Sequence, residues 1–453
     1  MAGTAAAIDV KVAGQWWFHY GYYSNNTLVE KKDSGSHGDR TLARQRTRTQ
    51  ISFIADENLS ALLNLEASLE WGRKATNGKN GGRIDADETT FVIKRAYLDW
   101  TLPNTQVKTR FGIQGISMPT VAFGNPTLNA DVAGITVSNQ FTPEVGLTVF
   151  WARPYDRTWD TANQTNGQNS YDEMDVFGFT LPVKTDFVRF TPWAMGAFIG
   201  ADSDFYTNSS YNYIQGNRSA AFNRKRMDSN TYGYWFGTTF ELPVLDPFFV
   251  QIDAMAGGLE TGESDYDTFG YLIAANIGYK FSWGSLSAMG WYASGNKDKD
   301  DYGFMPIISD DASTFGPTRY GMGGTYARSH DAVLSSNGIG MWGMGIKLAD
   351  LSFIEDLKHT VNVLYMGGTN KGDSTIIHPN THTQSRINFF GNSYLMSSDR
   401  AWEIDLLNEY TVNEYLKVGV DFAYLWLDLG DHWDNSDDTQ GSFATMLSLT
   451  YSF

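Results

Sequence analysis

The chain has no cysteine among its 453 residues. Disulfides, thiolate metal sites and cysteine nucleophiles are therefore excluded. The absence also suits a protein that crosses an oxidising compartment unfolded. No stretch approaches the ~20 consecutive apolar residues that a membrane-crossing helix needs, and mean hydropathy is only −0.33. Positive charge is scarce: 34 Lys and Arg stand against 51 Asp and Glu, for a net charge of −17. Nucleic acid requires a basic face, so no nucleic-acid partner is expected. Histidine is rare, with 7 in the whole chain. Ser329 with His330, and the stretch His378 to His382, are where a serine–histidine site would have to lie, and neither has a partner at a defensible spacing. No nucleotide or redox motif is present; the glycines of Gly321 to Gly324 follow no strand–helix pattern. No Pro-rich linker or low-complexity tract marks a domain boundary.

What is present is period-two alternation. The last stretch, Ser442 to Phe453, reads SFATMLSLTYSF. Phe443, Thr445, Leu447, Leu449, Tyr451 and Phe453 share one face of an extended chain, and the small or polar residues share the other. A soluble sheet that ended this way would expose an aromatic edge. A membrane barrel uses such a strand to close itself, apolar toward lipid and polar toward the lumen. Ile8 to Tyr22 alternates in the same way and is longer than the ~5–6 residues of an average soluble strand. Between these ends a rhythm repeats: long polar loop, strand, tight turn, strand. Short turns fall near 142–143, 182–186, 243–247, 282–284, 349–356 and 412–414, and long loops near 153–174, 200–229, 257–267, 296–337, 368–399 and 428–441. Sorting of loop lengths to two sides marks a transmembrane barrel. Aromatics such as Trp71, Trp402 and Trp426 sit at the long-loop ends of strands, and Trp100, Trp283 and Tyr410 at the turn ends, as two membrane interfaces select. The expectation is an all-β, antiparallel up-and-down barrel of about 18 strands, or 16 if one of the faintly patterned hairpins (133–152, 338–348) fails. Residues 8–453 form it as one domain. Residues 1–7, with Ala5 to Ala7, read as the remnant of an export signal or an added tail.

A barrel this wide leaves an aqueous lumen, so function rests on the charge that lines it and on what narrows it. Arg44, Arg46 and Arg48 share a face opposite Ile51 and Phe53; Arg95 lies with Tyr97 and Asp99; Lys108 and Arg110 oppose Phe111 and Ile113. Arginine toward lipid costs ~2–4 kcal/mol at the midplane, so all these are expected in the lumen. They either line a passage or are balanced by lumen acids, Glu66, Glu70 and Asp99, and only support the wall. The segment 117–132, SMPTVAFGNPTLNADV, carries Val121, Phe123, Leu128 and a single acid, Asp131. It is less charged than the other outer loops and is expected to fold inward and constrict the barrel, the alternative being an ordinary outer loop packed on its neighbours. Acid-rich loops at Asp298, Asp300 and Asp301, and from Asp428 to Asp438, read as solvated surface, or as carboxylates that bridge Ca2+ or a lipopolysaccharide surface.

RTRTQISFIADENLSALLNLE, FVIKRAYLDW with VKTRFGIQ, and VAGITVSNQFTPEVGLTVFW occur in that order. With the aromatic C-terminus they resemble the homotrimeric outer-membrane porins of sulfate-reducing bacteria, within the Gram-negative general porins. The resemblance implies a trimer with both termini periplasmic and a third loop folded into each pore. It implies passive diffusion of ions and small hydrophilic solutes across a field between Arg46, Arg48 and Arg110 on one side and Asp131 on the other. It implies that Tyr451 and Phe453 are read by the barrel-assembly machinery. The shortage of acids in 117–132 leaves room for anion preference. A channel specific for an anion, an organic acid or a sugar is the alternative, with a plugged structural barrel or an outer-membrane enzyme behind it; no enzymatic activity is expected.

Overall fold

The computed structural model describes residues 8–453, apart from 26–27, 29–38, 75–81, 85–90, 157–172, 202, 204–228, 263–266, 298–302, 309–314, 323–333, 335–336, 372–394 and 431–438. Residues 1–7, Asp298, Asp300, Asp301, Ser329, His330 and the segment 378–382 therefore lie outside the described residues. The strands of the first half are β1 (Asp9–Ser24), β2 (Arg40–Ile54), β3 (Leu59–Glu70), β4 (Val92–Thr101), β5 (Lys108–Ser117), β6 (Asn129–Gln140), β7 (Gly146–Asp156), β8 (Glu173–Thr180), β9 (Val183–Lys184) and β10 (Arg189–Ile199). Those of the second are β11 (Thr231–Glu241), β12 (Phe248–Glu260), β13 (Thr268–Phe281), β14 (Gly284–Ala293), β15 (Met341–Ile354), β16 (Leu357–Gly368), β17 (Arg400–Thr411), β18 (Leu416–Asp428) and β19 (Ser442–Ser452). Every pairing between these strands is antiparallel, and the strands follow one another around the sheet in sequence order.

β8 and β9 are two pieces of one stave. Both pair with β10, and Pro182 lies between them. Proline has no N–H for a ladder, so the ladder breaks there. The ring is thus a closed 18-strand antiparallel barrel. The hairpins at 129–156 and 341–368, faint in the sequence, are both present. Among the described residues the one helical turn is Pro243–Leu245, at a short connection.

Closure joins the two ends of the chain. β1 pairs with β19 from Gln15 opposite Ser452 to Ser24 opposite Phe443. The pairing extends one step past β19: the Gly14 N–H donates to the Phe453 carbonyl at 2.8 Å and the Phe453 N–H to the Gly14 carbonyl at 3.0 Å. Position 14 suits glycine because a Cβ there would lie 2.6 Å from the Arg48 carbonyl oxygen and 2.6 Å from the Phe453 ring. Alternation sends Ile273, Phe236, Ile404, Met344 and Trp402 outward, all exposed.

The lumen departs from the expected polar lining. On β10 to β19 the inward residues toward the long-loop end are apolar: Trp193, Met195, Trp235, Met255, Leu272, Met289, Trp291, Leu364, Leu425 and Met446 are all buried. They pack against Met118, Leu128, Met305, Ile307, Ile308, Phe315, Tyr320 and Met322 from two inter-strand segments. A second apolar core therefore fills part of the barrel from within. Alternation separates two faces but does not say that the inner one meets water. The segment 296–337 is likewise no plain outer loop, since its parts 303–308 and 315–322 lie inside this core.

Leu447 faces outward on β19, opposite Val420 and Tyr20. Leu447→Arg should lower stability by ~2–4 kcal/mol in urea titrations of lipid-embedded protein. Gln50→Arg, on the lumen face of β2, should cost far less.

Candidate functional site

The charged wall of the lumen is built by β1 to β5. Register places Arg44, Arg46 and Arg48 opposite His19, Trp17 and Gln15 of β1, whose side chains face inward. On β3, Glu66, Ser68 and Glu70 face the same three arginines from the other side. Arg48 Nε donates to Glu66 at 2.6 Å, and Glu66 also accepts from the Ser68 hydroxyl at 2.8 Å. Arg44 lies 3.7 Å from Glu70, and the Arg46 guanidinium stands 5.6 Å from the centre of the Trp17 ring. On β4 and β5, Arg110 makes a two-pronged pair with Asp99 at 2.6 and 2.9 Å. Lys108 reaches the same carboxylate at 3.0 Å. The Arg110 guanidinium lies 3.8 Å above the Tyr97 ring. Every lumen acid named from the sequence thus contacts a cation.

Among the described residues, Arg44, Arg48, Lys108 and Arg110 meet three carboxylates here, those of Glu66, Glu70 and Asp99. Arg48 and Lys108 retain 37% and 47% of their side-chain exposure, whereas Arg44 keeps only 10%. Exposure decides which can meet a solute: Arg48 and Lys108 can, while Arg44 is closed off.

Asp131 and Arg95 take other places than the expected ones. β5 pairs with β6 from Ser117 opposite Asn129, so the inward segment ends at Leu128 and Asp131 belongs to the ladder. There it faces Gly115, on the same side as Ile113 and Ala133, which is the outer side. A bulge in β4 opposite Asn64 and Leu65 inserts Lys94 as an extra residue. Bulges re-aim side chains, and the sequence neighbours Lys94 and Arg95 both reach Asp131, at 3.1 and 2.6 Å. Arg95 lies over Gly115, where a side chain would leave no room. Asp131 therefore does not oppose Arg46, Arg48 and Arg110 across the lumen. Strand parity placed it outside once β6 began early enough to include it.

The inward segment 118–128 crosses toward β12. There Asp253, fully buried, accepts from the Val121 N–H at 2.9 Å, the Ala122 N–H at 2.9 Å and the Thr120 hydroxyl at 2.7 Å. The segment carries no charged side chain. It is fastened to the second inward segment: the Gly316 N–H donates to the Phe123 carbonyl and the Ile308 N–H to that of Thr127, both at 2.9 Å. Phe123 meets Phe315 and Trp291 edge-on.

The second segment is held by acids that the sequence reading did not single out. Arg319 pairs with Asp421 of β18, and its N–H donates to Asp405 of β17 at 2.9 Å. The Tyr320 and Gly321 N–H groups donate to Glu403 at 2.8 and 2.9 Å. The Tyr320 hydroxyl meets Ser442 of the closing strand at 2.6 Å, and its ring stacks on Tyr23. Glu403, Asp405 and Asp421 are buried. A carboxylate is buried only with charged or N–H partners, and here the partners are the segment's backbone and Arg319. Alternate acids between outward Ile404 and Leu406 were a readable sign that 403 and 405 point inward. Nothing in the sequence named their partner. Among the described residues no group of three or more His, Asp or Glu is placed to hold a metal ion.

No known protein-family description matches the chain, and no curated protein matches it by sequence. Solved structures do. Acinetobacter baumannii OccAB3 superposes with a TM-score of 0.56 over 98% of this chain and 99% of its own, at 10% identity. A BenF-like porin from Pseudomonas fluorescens Pf-5 gives 0.56 over 98% of each chain, at 8% identity. Pseudomonas aeruginosa OccK8 (OprE) gives 0.55 over 98% of each, at 9% identity. At such identity the likeness is one of fold: an 18-strand barrel of the outer-membrane porin type.

Asp253→Ala should release the segment 118–128. Each lost bond to a charged acceptor contributes ~1.5–3 kcal/mol, so amide exchange at Val121 and Ala122 should quicken more than tenfold. Unchanged protection would show that the segment is held by its other contacts.

Proposed function

We propose that the chain is an outer-membrane channel through which ions and small hydrophilic solutes diffuse, along the β1–β5 side of the lumen. The observation that carries this reading is the division of the lumen. An apolar core occupies the long-loop half beside β10 to β19, while the wall from β2 to β5 carries solvated Arg48 and Lys108. Water and ions follow the charged side. Arg46, Arg48, Lys108 and Arg110 set selectivity there, with Glu66, Glu70 and Asp99 holding them in place. Because 118–128 brings no acid to face them, the passage favours anions despite the net charge of −17. Selectivity follows the narrowest ring, not the total charge.

The resemblance noted in the sequence extends the proposal: a homotrimer, both termini periplasmic, outer loops that meet lipopolysaccharide with or without bound Ca2+, and Tyr451 and Phe453 as the assembly signal. A second reading, a channel specific for one class of anion, organic acid or sugar, is favoured by the two inward segments bonded to each other, which leave less room than one.

Purified protein in a planar bilayer under a KCl gradient should give stepwise conductance with a reversal potential on the anion side. Arg48→Glu should move it toward cations. Folded protein that conducts nothing would overturn the proposal, and conductance that saturates with one solute would select the specific channel.

A further inference from the structure

We infer a second solute station at the turn end of the lumen, on the side away from the arginine wall, built for a small oxyanion that carries its own hydroxyl donor: a hydrogen phosphate group. A cavity of about 940 Å³ opens there, and its walls come from β10 to β16.

The first element is an unneutralised cation. Three lysines line the cavity. Lys280 pairs with Asp246 at 3.1 Å and Lys358 with Asp350 at 3.3 Å. Lys347 forms no ion pair with any described residue. Register sets it beside Ser287 across the β14–β15 ladder, on the same inward face. Their Cβ atoms thus stand ~5 Å apart, on one wall of the same cavity.

The second element is an orphaned acceptor. Gln251 Nε2 donates to Glu241 Oε1 at 3.4 Å, and Asn276 Nδ2 donates to Gln251 Oε1 at 3.0 Å. An ionised carboxylate only accepts, so it orients the Gln251 amide, which in turn orients that of Asn276. The relay ends at Asn276 Oδ1, which is buried and has no hydrogen-bond partner. Gly278 faces Ser287 across the β13–β14 ladder. Asn276 is two residues further along β13, diagonal to Ser287, with its Cα ~7–8 Å away. Lys347, Ser287 and Asn276 line the same cavity.

Two donors and one acceptor-only oxygen define the ligand. Sulfate at neutral pH offers acceptors alone and leaves Asn276 Oδ1 unsatisfied. Phosphate in its protonated forms offers acceptors to Lys347 and Ser287 and an O–H to Asn276. The same group occurs free or as a monoester, and the cavity has room for either. Binding rests on the residues named here; its use as a stage of passage rests on the channel proposed above.

Calorimetry of the folded protein in detergent at pH 6, with inorganic phosphate, sulfate and glycerol phosphate as separate probes, tests the assignment. Phosphate should bind roughly tenfold or more tightly than sulfate, the scale of one unsatisfied hydrogen bond. Lys347→Met should weaken both anions at least tenfold. Asn276→Leu should lower phosphate affinity toward that of sulfate, and Ser287→Ala, a second variant if it misfolds, should weaken both anions. Arg48→Glu should change neither. Glycerol phosphate binding as tightly as phosphate assigns the station to monoesters as well; binding of phosphate alone assigns it to the free ion. Equal affinity for phosphate and sulfate, no binding, or an unaffected Lys347→Met would each overturn the station. Conductance without phosphate binding would refute the station and leave the channel standing, and binding without conductance would do the reverse.

Discussion

Everything in this molecule depends on the requirement that a sheet in lipid leave no backbone N–H or C=O unpaired. Each unsatisfied group in hydrocarbon costs several kcal/mol, so an open edge is not tolerated and the sheet must close. Closure falls to the two ends of the chain, and the last residue takes part, since Phe453 exchanges both hydrogen bonds with Gly14. Once the ring is shut, alternation becomes absolute. Every residue is assigned to one face by parity, and a single bulge, as at Lys94, is enough to re-aim a side chain.

Closing a ring of 18 strands creates a problem as well, because its interior is too wide for wall side chains to fill. Here two inter-strand segments meet it by turning inward. Their backbone N–H groups need acceptors away from bulk water, and the wall supplies carboxylates: Asp253 for one segment, Glu403 and Asp405 for the other. Removing such an acceptor leaves several donors unpaired at once. The cost of burying those acids is met by their bonds to the segments' N–H groups, beside the Arg319–Asp421 pair. The same segments cover the Met, Trp and Leu side chains of β10 to β19.

How much could be read beforehand follows from how local each signal is. The barrel, its strand number, its closing strand and the inward segment after β5 were legible, because alternation, turn length and aromatic position are properties of short stretches. The lumen facing of Arg44, Arg46, Arg48, Lys108 and Arg110 was legible for the same reason. The side taken by Asp131 was not. It hinges on where β6 begins, and a shift of a few residues decides whether the acid belongs to a loop or to a ladder. The inward fold of the segment after β14 was also hidden, since its anchors at Glu403, Asp405, Asp421 and Ser442 lie 82 or more residues away in sequence.

By itself, then, the sequence determined the class of structure, because membrane strands write their two faces into every second residue. It also determined the inward facing of Arg44, Arg46, Arg48, Lys108 and Arg110, because arginine toward lipid is costly, whereas the bulge in β4 takes Arg95 to Asp131. Only the tertiary structure decided what those cations meet. Whether an inner face touches water, a carboxylate or a buried segment depends on contacts between distant strands, and period-two patterning is the same for all three. The solvated Arg48, the closed-off Arg44, the outward Asp131 and Lys347, which has no ion pair among the described residues, differ in surroundings, not in local sequence.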